Sequence, residues 1–511
     1  MQTARRKFDV GMLVHSIIGV SIMLLGRFVP APHLSVPANE KLQAAGIPLV
    51  DGAHWLGITP EGMVIIGLFF GVVYLWTTVD SLWPSFLGVA LYGMSSHVPM
   101  PQALNQFMGN PMTVMLFFLF MFAAILMRSN ISAYLARWFM THRIVKGRPW
   151  AFTAMILAGT YFVAMLEQTT ACFLMWPALY VVFDHVGFKR GDRYVTLMIV
   201  NTMMMALLSF ATDPFKGGAF YLLSNMNMLA AASAPGTVVP LNIASYLIFS
   251  LTISAASIGA ILFFMRYVYR VDVTPLQRID PDILKKDELP PFSLQQKLIL
   301  ALFFLYSLWL LLPGIIGKNN PLGAFLAANA MAASMVIIFL ASAIRVGGKP
   351  LADLPQTNQS YPWRTFVLIA TAFLLGGAIT KPETNVTLYM EFFLKTHLAG
   401  FSELGLTVLI VSLAIIVTNF CNSVVAGFIF TPVILALSSG LGFAANPIIA
   451  CFIFIVLIAA VTPAASPFAA ILYDNPDWIS RRNVAVNALV SSLVIMGVVI
   501  VVGIPLAGVL F

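Results

Sequence analysis

The sequence predicts an all-α integral membrane protein of about 11 transmembrane helices and two re-entrant helical hairpins, arranged as two inverted-topology repeats. Three observations predict it. The 511-residue chain is 60% hydrophobic and 9% charged, with a mean hydropathy of +0.91, far from the roughly one-quarter charge of globular domains. Polar motifs recur half a chain apart, in the same order. Two pairs of apolar segments, each short for a bilayer crossing, flank polar knots.

The repeat is legible at three places. Glu167-Gln168-Thr169-Thr170 leads through Ala171 to Trp176 and Pro177, and Asn422-Ser423 leads through Val424 to Thr431 and Pro432, 255 positions later. Asn130-Ile131-Ser132-Ala133-Tyr134 recurs as Asn385-Val386-Thr387-Leu388-Tyr389, again 255 positions on. Thr212-Asp213-Pro214-Phe215-Lys216-Gly217-Gly218 recurs as Ala465-Ser466-Pro467-Phe468-Ala469-Ala470-Ile471 at an offset of 253. Ordered matches at nearly one spacing are the trace of inverted repeats in membrane carriers.

Taken in order, the basic start Arg5-Arg6-Lys7 precedes an apolar run to Leu25 without a signal-peptide cleavage pattern, so it reads as a retained first span at roughly 9–29. Further spans are expected at roughly 59–77, 82–99, 111–128, 195–227, 243–268, 296–316, 321–344, 364–381, 447–474 and 484–511. Between the first two lies a Pro- and Ala-rich external loop, Pro30 to Trp55. Loops on the N-terminal side hold 22 Lys and Arg against 5 opposite, with Lys216 left inside a span. The positive-inside rule then puts the N-terminus in the cytoplasm and Phe511 outside. The net charge of +8 thus follows membrane topology and does not imply nucleic acid.

Ile131 to His142 reads as an amphipathic helix at the cytoplasmic surface. Ala151 to Leu166 and Ala171 to Phe183 give about 16 and 13 apolar residues, below the ~20 that a helical crossing needs. Both outer flanks are basic. The economical solution is a hairpin that enters from the cytoplasm, turns at Glu167 to Thr170 and leaves on the same side, its free backbone groups met by protein or water. Phe401 to Val417 and Val424 to Leu437 flank Asn422-Ser423 between loops poor in Lys and Arg, so this second hairpin should enter from outside. After each hairpin comes a helix that Pro interrupts, at Thr212-Asp213-Pro214 and at Thr462-Pro463-Ala464-Ala465-Ser466-Pro467. A broken helix offers free amides and free carbonyls, suited to anions and cations. The segment from Tyr269 to Lys297 is polar and reads as a cytoplasmic linker.

The second tip, Thr418-Asn419-Phe420-Cys421-Asn422-Ser423-Val424 with Pro432 ten residues after Asn422, resembles the divalent anion/sodium symporter family, whose tips carry Ser-Asn-Thr with a proline at that distance. Ala465-Ser466-Pro467-Phe468-Ala469-Ala470-Ile471 is similar to the family's Ala-Thr-Pro-Pro-Asn-Ala-Ile. The resemblance implies an elevator-type homodimeric carrier of di- or tricarboxylates, and in some members sulfate, coupled to sodium or working by anion exchange. It implies scaffold helices at 1–110 and 297–363, repeat cores at 111–270 and 364–511, and a linker at 271–296. Ligand roles carry over to Glu167, Gln168 and Thr169 at the first tip, and to Asn422, Ser423 and Val424 at the second. The chain departs from the family where Val424 replaces Thr, where Asn422 and Glu167 stand at sodium-lining Ser positions, and where Asp213 and Lys216 occupy a break expected to be neutral.

The expected substrate contacts are therefore Gln168, Thr169, Lys216, Asn422, Ser423 and Ser466. The expected coupling-ion contacts are Glu167, Asp213, Thr418 and Asn422, with Na⁺ most readily held at Glu167 and Asn422; no other cofactor is implied beyond Na⁺ or H⁺. Ionisable groups at membrane depth are functional candidates by default. Lys216 has three readings: an anion-holding charge, an ion pair with Asp213 or Glu167 that stabilises the break, or a snorkelling side chain outside the site. Glu167 has three: proton carrier, Na⁺ ligand, or a partner of Lys216 displaced by substrate. The expected location is the inner (plasma) membrane, and the expected partners are a small anion, lipid and a second copy. Seven scattered His and three Cys in apolar runs give no metal-ligand spacing, which argues against an intramembrane enzyme. The serious alternative is a cation/proton antiporter or an inorganic-anion (sulfate, arsenite-type) carrier of the same superfamily.

Overall fold

The computed structural model describes residues 10–95, 98–232, 239–279, 289–317, 319–398, 400–463, 465–473 and 478–511. Arg5, Arg6 and Lys7, His97, the linker charges from Asp280 to Glu288, Lys318 and Ala464 lie outside the described residues.

Several helices start at a capping side chain, as at Thr59, Asn110, Asn242 and Ser293. The first half runs α1 (Val10–Leu25), β1 (His33–Pro37), α2 (Glu40–Ala44), β2 (Leu49–Val50), β3 (Ala53–Gly57), α3 (Pro60–Thr78), α4 (Leu82–Gly93), α5 (Met100–Met108) and α6 (Pro111–Arg128). It continues through α7 (Ile131–Thr141), α8 (Pro149–Leu166), α9 (Gln168–Val186), α10 (Arg193–Thr212), α11 (Gly218–Ala232) and α12 (Ile243–Phe263), which a π turn extends to Val268. The second half comprises α13 (Leu294–Ile316), α14 (Pro321–Ala328), α15 (Ala330–Ala343), β4 (Arg345–Val346), β5 (Lys349–Pro350), α16 (Leu354–Thr357), α17 (Trp363–Ile379) and α18 (Val386–Leu398). It closes with α19 (Glu403–Thr418), α20 (Ser423–Leu441), α21 (Ala445–Val456), α22 (Pro467–Tyr473), α23 (Arg481–Val498) and α24 (Ile504–Leu510). Among the described residues nine helices are long and apolar enough to cross a membrane, or up to 12 if bent pairs count as spans. Three of the nine, α8, α9 and α20, are hairpin arms, which the expected 11 spans did not include.

The repeat is written into the backbone. Asn130 and Asn385 both sit in the left-handed region, at φ 56° and 55°, one residue before α7 and α18. Both α9 and α20 have 19 residues, and they end at Gly187 and Gly442, at φ 87° and 74°. All three pairs keep the 255-residue offset. At both glycines an added Cβ meets nothing within 4 Å, so the cost of a side chain there is backbone strain alone. Gly187→Ala and Gly442→Ala are each expected to cost about 1–2 kcal/mol, read as equal drops in the unfolding midpoint in detergent. A drop at one site without the other would contradict structural equivalence.

Helix directions follow from side-chain pairings. Along α9 and α10, Phe183 meets Tyr194 with ring centroids 6.0 Å apart, Trp176 Nε1 donates to Ile199 O at 3.2 Å, and Cys172 Sγ lies 3.9 Å from Met203 Sδ. These helices are antiparallel. In α8, Thr153 pairs with Tyr194 at 2.9 Å and Tyr161 with Thr212 at 3.0 Å, so α8 runs parallel to α10. The α8–α9 pair is therefore a hairpin whose open end lies beside the start of α10 and whose tip lies near its end. In α12, Ser254 meets Thr212 at 2.8 Å and Arg193 donates to Tyr269 O at 3.3 Å. The 26-residue stretch Ile243–Val268 is about 39 Å long at 1.5 Å per residue, and Ser250 and Ser254 lie well inside its ends. The break after Thr212 is thus at membrane depth.

The second hairpin opens the other way. Gly440, near the open end of α20, lies against the backbone of Glu391 in α18, and Phe392 of α18 packs under the β1–β3–β2 sheet with Val36, Leu42 and Leu56. The first hairpin's open end instead carries Tyr180 stacked on Trp478 at 4.7 Å, just before α23. Two helices of equivalent position, α10 and α21, form the core axis: Tyr194 to Thr212 and Ile448 to Val456 are buried throughout. Such helices need no polar face.

Five expectations change. The hairpin arms are longer than the apolar runs implied, with 18 residues in α8 and 19 in α9. Glu167 is a single cap residue, and Gln168 to Thr170 form the first turn of α9 instead of a loop. The expected span 321–344 is bent by 76° between α14 and α15, and the described residues of 82–99 form only the 12-residue α4 before α5. The loop from Pro30 to Trp55 forms an antiparallel three-stranded sheet with a short helix, because Asn39 caps α2 and β1 pairs with β3.

Candidate functional site

The tips are built by the same device. Glu167 is the N-cap of α9, its carboxylate accepting the Thr169 N–H at 3.2 Å and the Thr170 N–H. Asn422, 255 residues later, is the N-cap of α20, its Oδ1 accepting the Val424 N–H at 3.0 Å and the Val425 N–H at 3.3 Å. A carboxylate at a helix N-terminus is stabilised by free amides and the helix dipole. Glu167 is thus held by its own helix and makes no ion pair with Lys216.

The breaks share a device too. Asp213 Oδ1 accepts the Phe215 and Lys216 N–H groups at 2.9 and 3.3 Å, and Ser466 Oγ accepts the Ala469 N–H at 3.0 Å. Asp213 and Ser466 hold equivalent positions, each receiving the amide three residues on. Lys216 Nζ lies 3.2 Å from Asp213 Oδ2, with 4% and 1% of the two side chains exposed. The pairing is electrostatic, since Oδ2 makes no directed hydrogen bond. The ion pair with Asp213, one of the sequence readings of Lys216, is present.

Around these breaks several carbonyls already have partners. Tyr246 OH donates to Ala211 O at 2.8 Å, and Ser250 Oγ to Thr212 O at 3.3 Å. In the second half Thr418 Oγ1 donates to Val456 O at 2.5 Å, Ser466 Oγ to Ala459 O at 2.7 Å and Tyr473 OH to Val461 O at 2.5 Å. Ser423 N–H reaches Ala465 O at 3.1 Å. Side-chain hydroxyls and the second tip thus meet part of the carbonyls that the breaks leave free.

The structure brings Thr418, Ser423 and Ser466 together where the second tip meets the second break. The breaks meet each other through Phe210 and Phe468, ring centroids 5.1 Å apart, and through Gly218, where a Cβ would lie 2.8 Å from Leu457. Leu166 at the first tip and Asp213 line one cavity of about 810 Å³, whose walls include Phe162, Phe215, Leu251 and Phe303. That space is almost wholly apolar and offers no bed for a dianion. Gln168 is buried with Nε2 unpartnered, while Thr169 and Asn422 are half-buried. Among the described residues no bond joins Gln168 or Thr169 to Lys216.

Against this geometry, a family model described as citrate transporter matches residues 71–383, more than half the chain. The chain belongs to the citrate transporter family. A second model, the sodium:sulfate symporter transmembrane region, matches residues 277–510, and together they place this citrate transporter family member with the divalent anion/sodium symporters of the ion transporter superfamily. It is a membrane transporter and not an enzyme. Its fold is similar to the crystal structure of the Alcanivorax borkumensis YdaH transporter, with a TM-score of 0.58, 12% identity and 98% of each chain covered. No curated protein matches the chain.

The sequence reading of this transporter missed Asn419. Its Oδ1 accepts the Ala460 and Val461 N–H groups at 3.0 and 2.9 Å, and its carbonyl accepts the Thr462 hydroxyl at 2.6 Å. Asn419 thereby fastens the second tip to the second break. The only signal was an amide side chain closing an apolar helix. Tyr161, Tyr246, Ser250 and Ser254, which satisfy the end of α10, left no motif.

Proposed function

We propose that this protein is a secondary active carrier of small divalent organic anions, di- or tricarboxylates such as citrate, succinate, malate or 2-oxoglutarate, bound where the hairpin tips meet the helix breaks. The observation that carries the reading is the buried Lys216–Asp213 pair in the first break, beside a second break held by Asn419 and Ser466. A cation at membrane depth is costly unless paired, and a dianion arriving there offers Lys216 a second partner. In this reading Lys216, Gln168, Thr169, Asn422, Ser423 and Ser466 contact the anion. Glu167, Asp213, Thr418 and Asn422 answer to the coupling ion, for which the sodium:sulfate symporter match supports Na⁺. The carrier works as a homodimer in the inner membrane, N-terminus in the cytoplasm and C-terminus outside. Scaffold helices at 1–110 and 297–363 flank moving cores at 111–270 and 364–511, joined by the linker at 271–296, and the cores travel by an elevator movement along the apolar cavity bounded by α13.

Uptake of radiolabelled citrate, succinate and sulfate into proteoliposomes, with and without sodium gradient, proton gradient and internal anion, tests this. Citrate or succinate uptake driven by sodium supports symport, and uptake requiring internal anion supports exchange. Absence of anion uptake under every condition would sink the reading. Glu167 separates cap from coupling. Glu167→Ala is expected to lose about 1 kcal/mol with the N-cap, and Glu167→Asn to recover it, since Asn422 does the same work in the other repeat. If Glu167→Asn is stable yet still shows full dependence on the coupling-ion gradient, the carboxylate has no part in coupling.

A further inference from the structure

A second polar cleft lies on the face that carries the three-stranded sheet. It has a volume of about 330 Å³ and is lined by Asn105, Gln106, Asn110, Met228, Gly377 and Lys381, among others. Lys381 is half-buried, and among the described residues it has no carboxylate partner. Its ammonium donates to Tyr92 OH at 3.0 Å, and that hydroxyl donates to Gln106 Oε1 at 3.2 Å. Tyr92 is fully buried, so this relay is fixed in place. With Oε1 occupied, Gln106 keeps both Nε2 hydrogens for a ligand. Asn110 Nδ2 meets only the Met228 thioether, at 3.4 Å, a weak acceptor. Glu383, two residues beyond Lys381, does not line the cleft. Three N–H donors, one of them charged, therefore face a cleft without an opposing carboxylate.

The cleft also leads inward. Asn110, the N-cap of α6, and Phe120 within it contact Met228 and Tyr221 of α11, so the two helices run antiparallel. Between those contacts Thr113 and Asn225 lie on the facing stripes, each 1% exposed, because residues three or four apart share a helix face. Thr113 Oγ1 and Asn225 Oδ1 both lack a hydrogen-bond partner. Buried unpartnered polar atoms are costly, and here they line up from the cleft towards the start of α11, beside Lys216.

We infer that the Lys381 cleft is an oxyanion-binding vestibule, taking a carboxylate or another small dianion before it passes along the α6–α11 seam to the break. Its role in entry rests on the carrier reading above, whereas its attraction for anions does not. The test introduces Asn105→Cys as a reporter on the cleft wall and compares its rates of modification by an anionic sulfonatoethyl and a cationic trimethylammonium methanethiosulfonate, after subtracting the reaction of the native cysteines. The anionic-to-cationic rate ratio is expected to fall about tenfold when Lys381→Gln is added, to survive Lys381→Arg, and citrate is expected to slow the anionic reagent. An unchanged ratio in the Lys381→Gln protein, or a ratio lost equally in Lys381→Arg, overturns the inference. The labelling result does not depend on transport. A ratio that responds as expected in a protein without uptake would retire the carrier reading and keep the site, and normal uptake with an unresponsive ratio would do the reverse.

Discussion

Lys216→Met is expected to cost about 3–5 kcal/mol of stability and to abolish anion uptake. Removing the ammonium leaves the Asp213 carboxylate, 1% exposed, as a buried charge without a partner, and breaking one side of a buried ion pair costs about that much. The loss of stability alone would not reveal function, because an unfolded carrier also fails to transport. The decisive protein is the double variant Asp213→Asn/Lys216→Met. It removes the orphaned charge, and the amide oxygen of the new side chain can still accept the two backbone N–H groups that Asp213 Oδ1 receives now. It should regain most of the lost stability, since replacing both members of a buried pair is close to neutral. If Lys216 holds the substrate, the double variant remains silent in proteoliposomes. Recovery of uptake together with stability would show that the pair only braces the break.

Asn419→Ala is expected to cost about 2–6 kcal/mol. Its Oδ1 receives the Ala460 and Val461 amides, and its Nδ2 donates to Ile415 O at 2.7 Å, so truncation strands two amide donors at membrane depth, each worth roughly 1–3 kcal/mol when unsatisfied. Asn419→Asp keeps the acceptor but buries an unpaired charge and sets an oxygen against Ile415 O, so it too should lose stability. Both are read as unfolding midpoints of the purified protein, with uptake as the second measurement. The second tip would then part from the break, taking Thr418 and Ser466 out of register. A stability within about 0.5 kcal/mol of wild type, the range of unimportant surface changes, would exclude Asn419 as the fastener.

Much of the architecture was legible in the chain because it depends on local chemistry repeated at one spacing. Asn130 and Asn385, Glu167 and Asn422, and Pro177 and Pro432 are single residues that set a turn, a cap or a helix irregularity wherever they occur, so an offset of 255 in sequence became the same offset in structure. The arm lengths were less legible, since Gln168, Thr169 and Thr170 are polar and were counted as loop. The Glu167 cap starts a helix at once, and a helix starts where its amides are satisfied, not where hydrophobicity begins.

By itself the sequence determined a membrane-embedded, all-helical, twice-repeated chain with two polar tips and two interrupted helices, because bilayer thickness and backbone satisfaction leave few other solutions for such a pattern. Only the tertiary structure decided which partner Lys216 takes, that Asn419 joins tip to break, and that hydroxyls of Tyr246, Ser250 and Tyr473 close carbonyls left open by the breaks. Most of those partners come from segments tens of residues away. The physical reason is that a buried polar group must find some partner within reach, and sequence spacing says which groups need one without saying which of them packing will bring within about 3 Å.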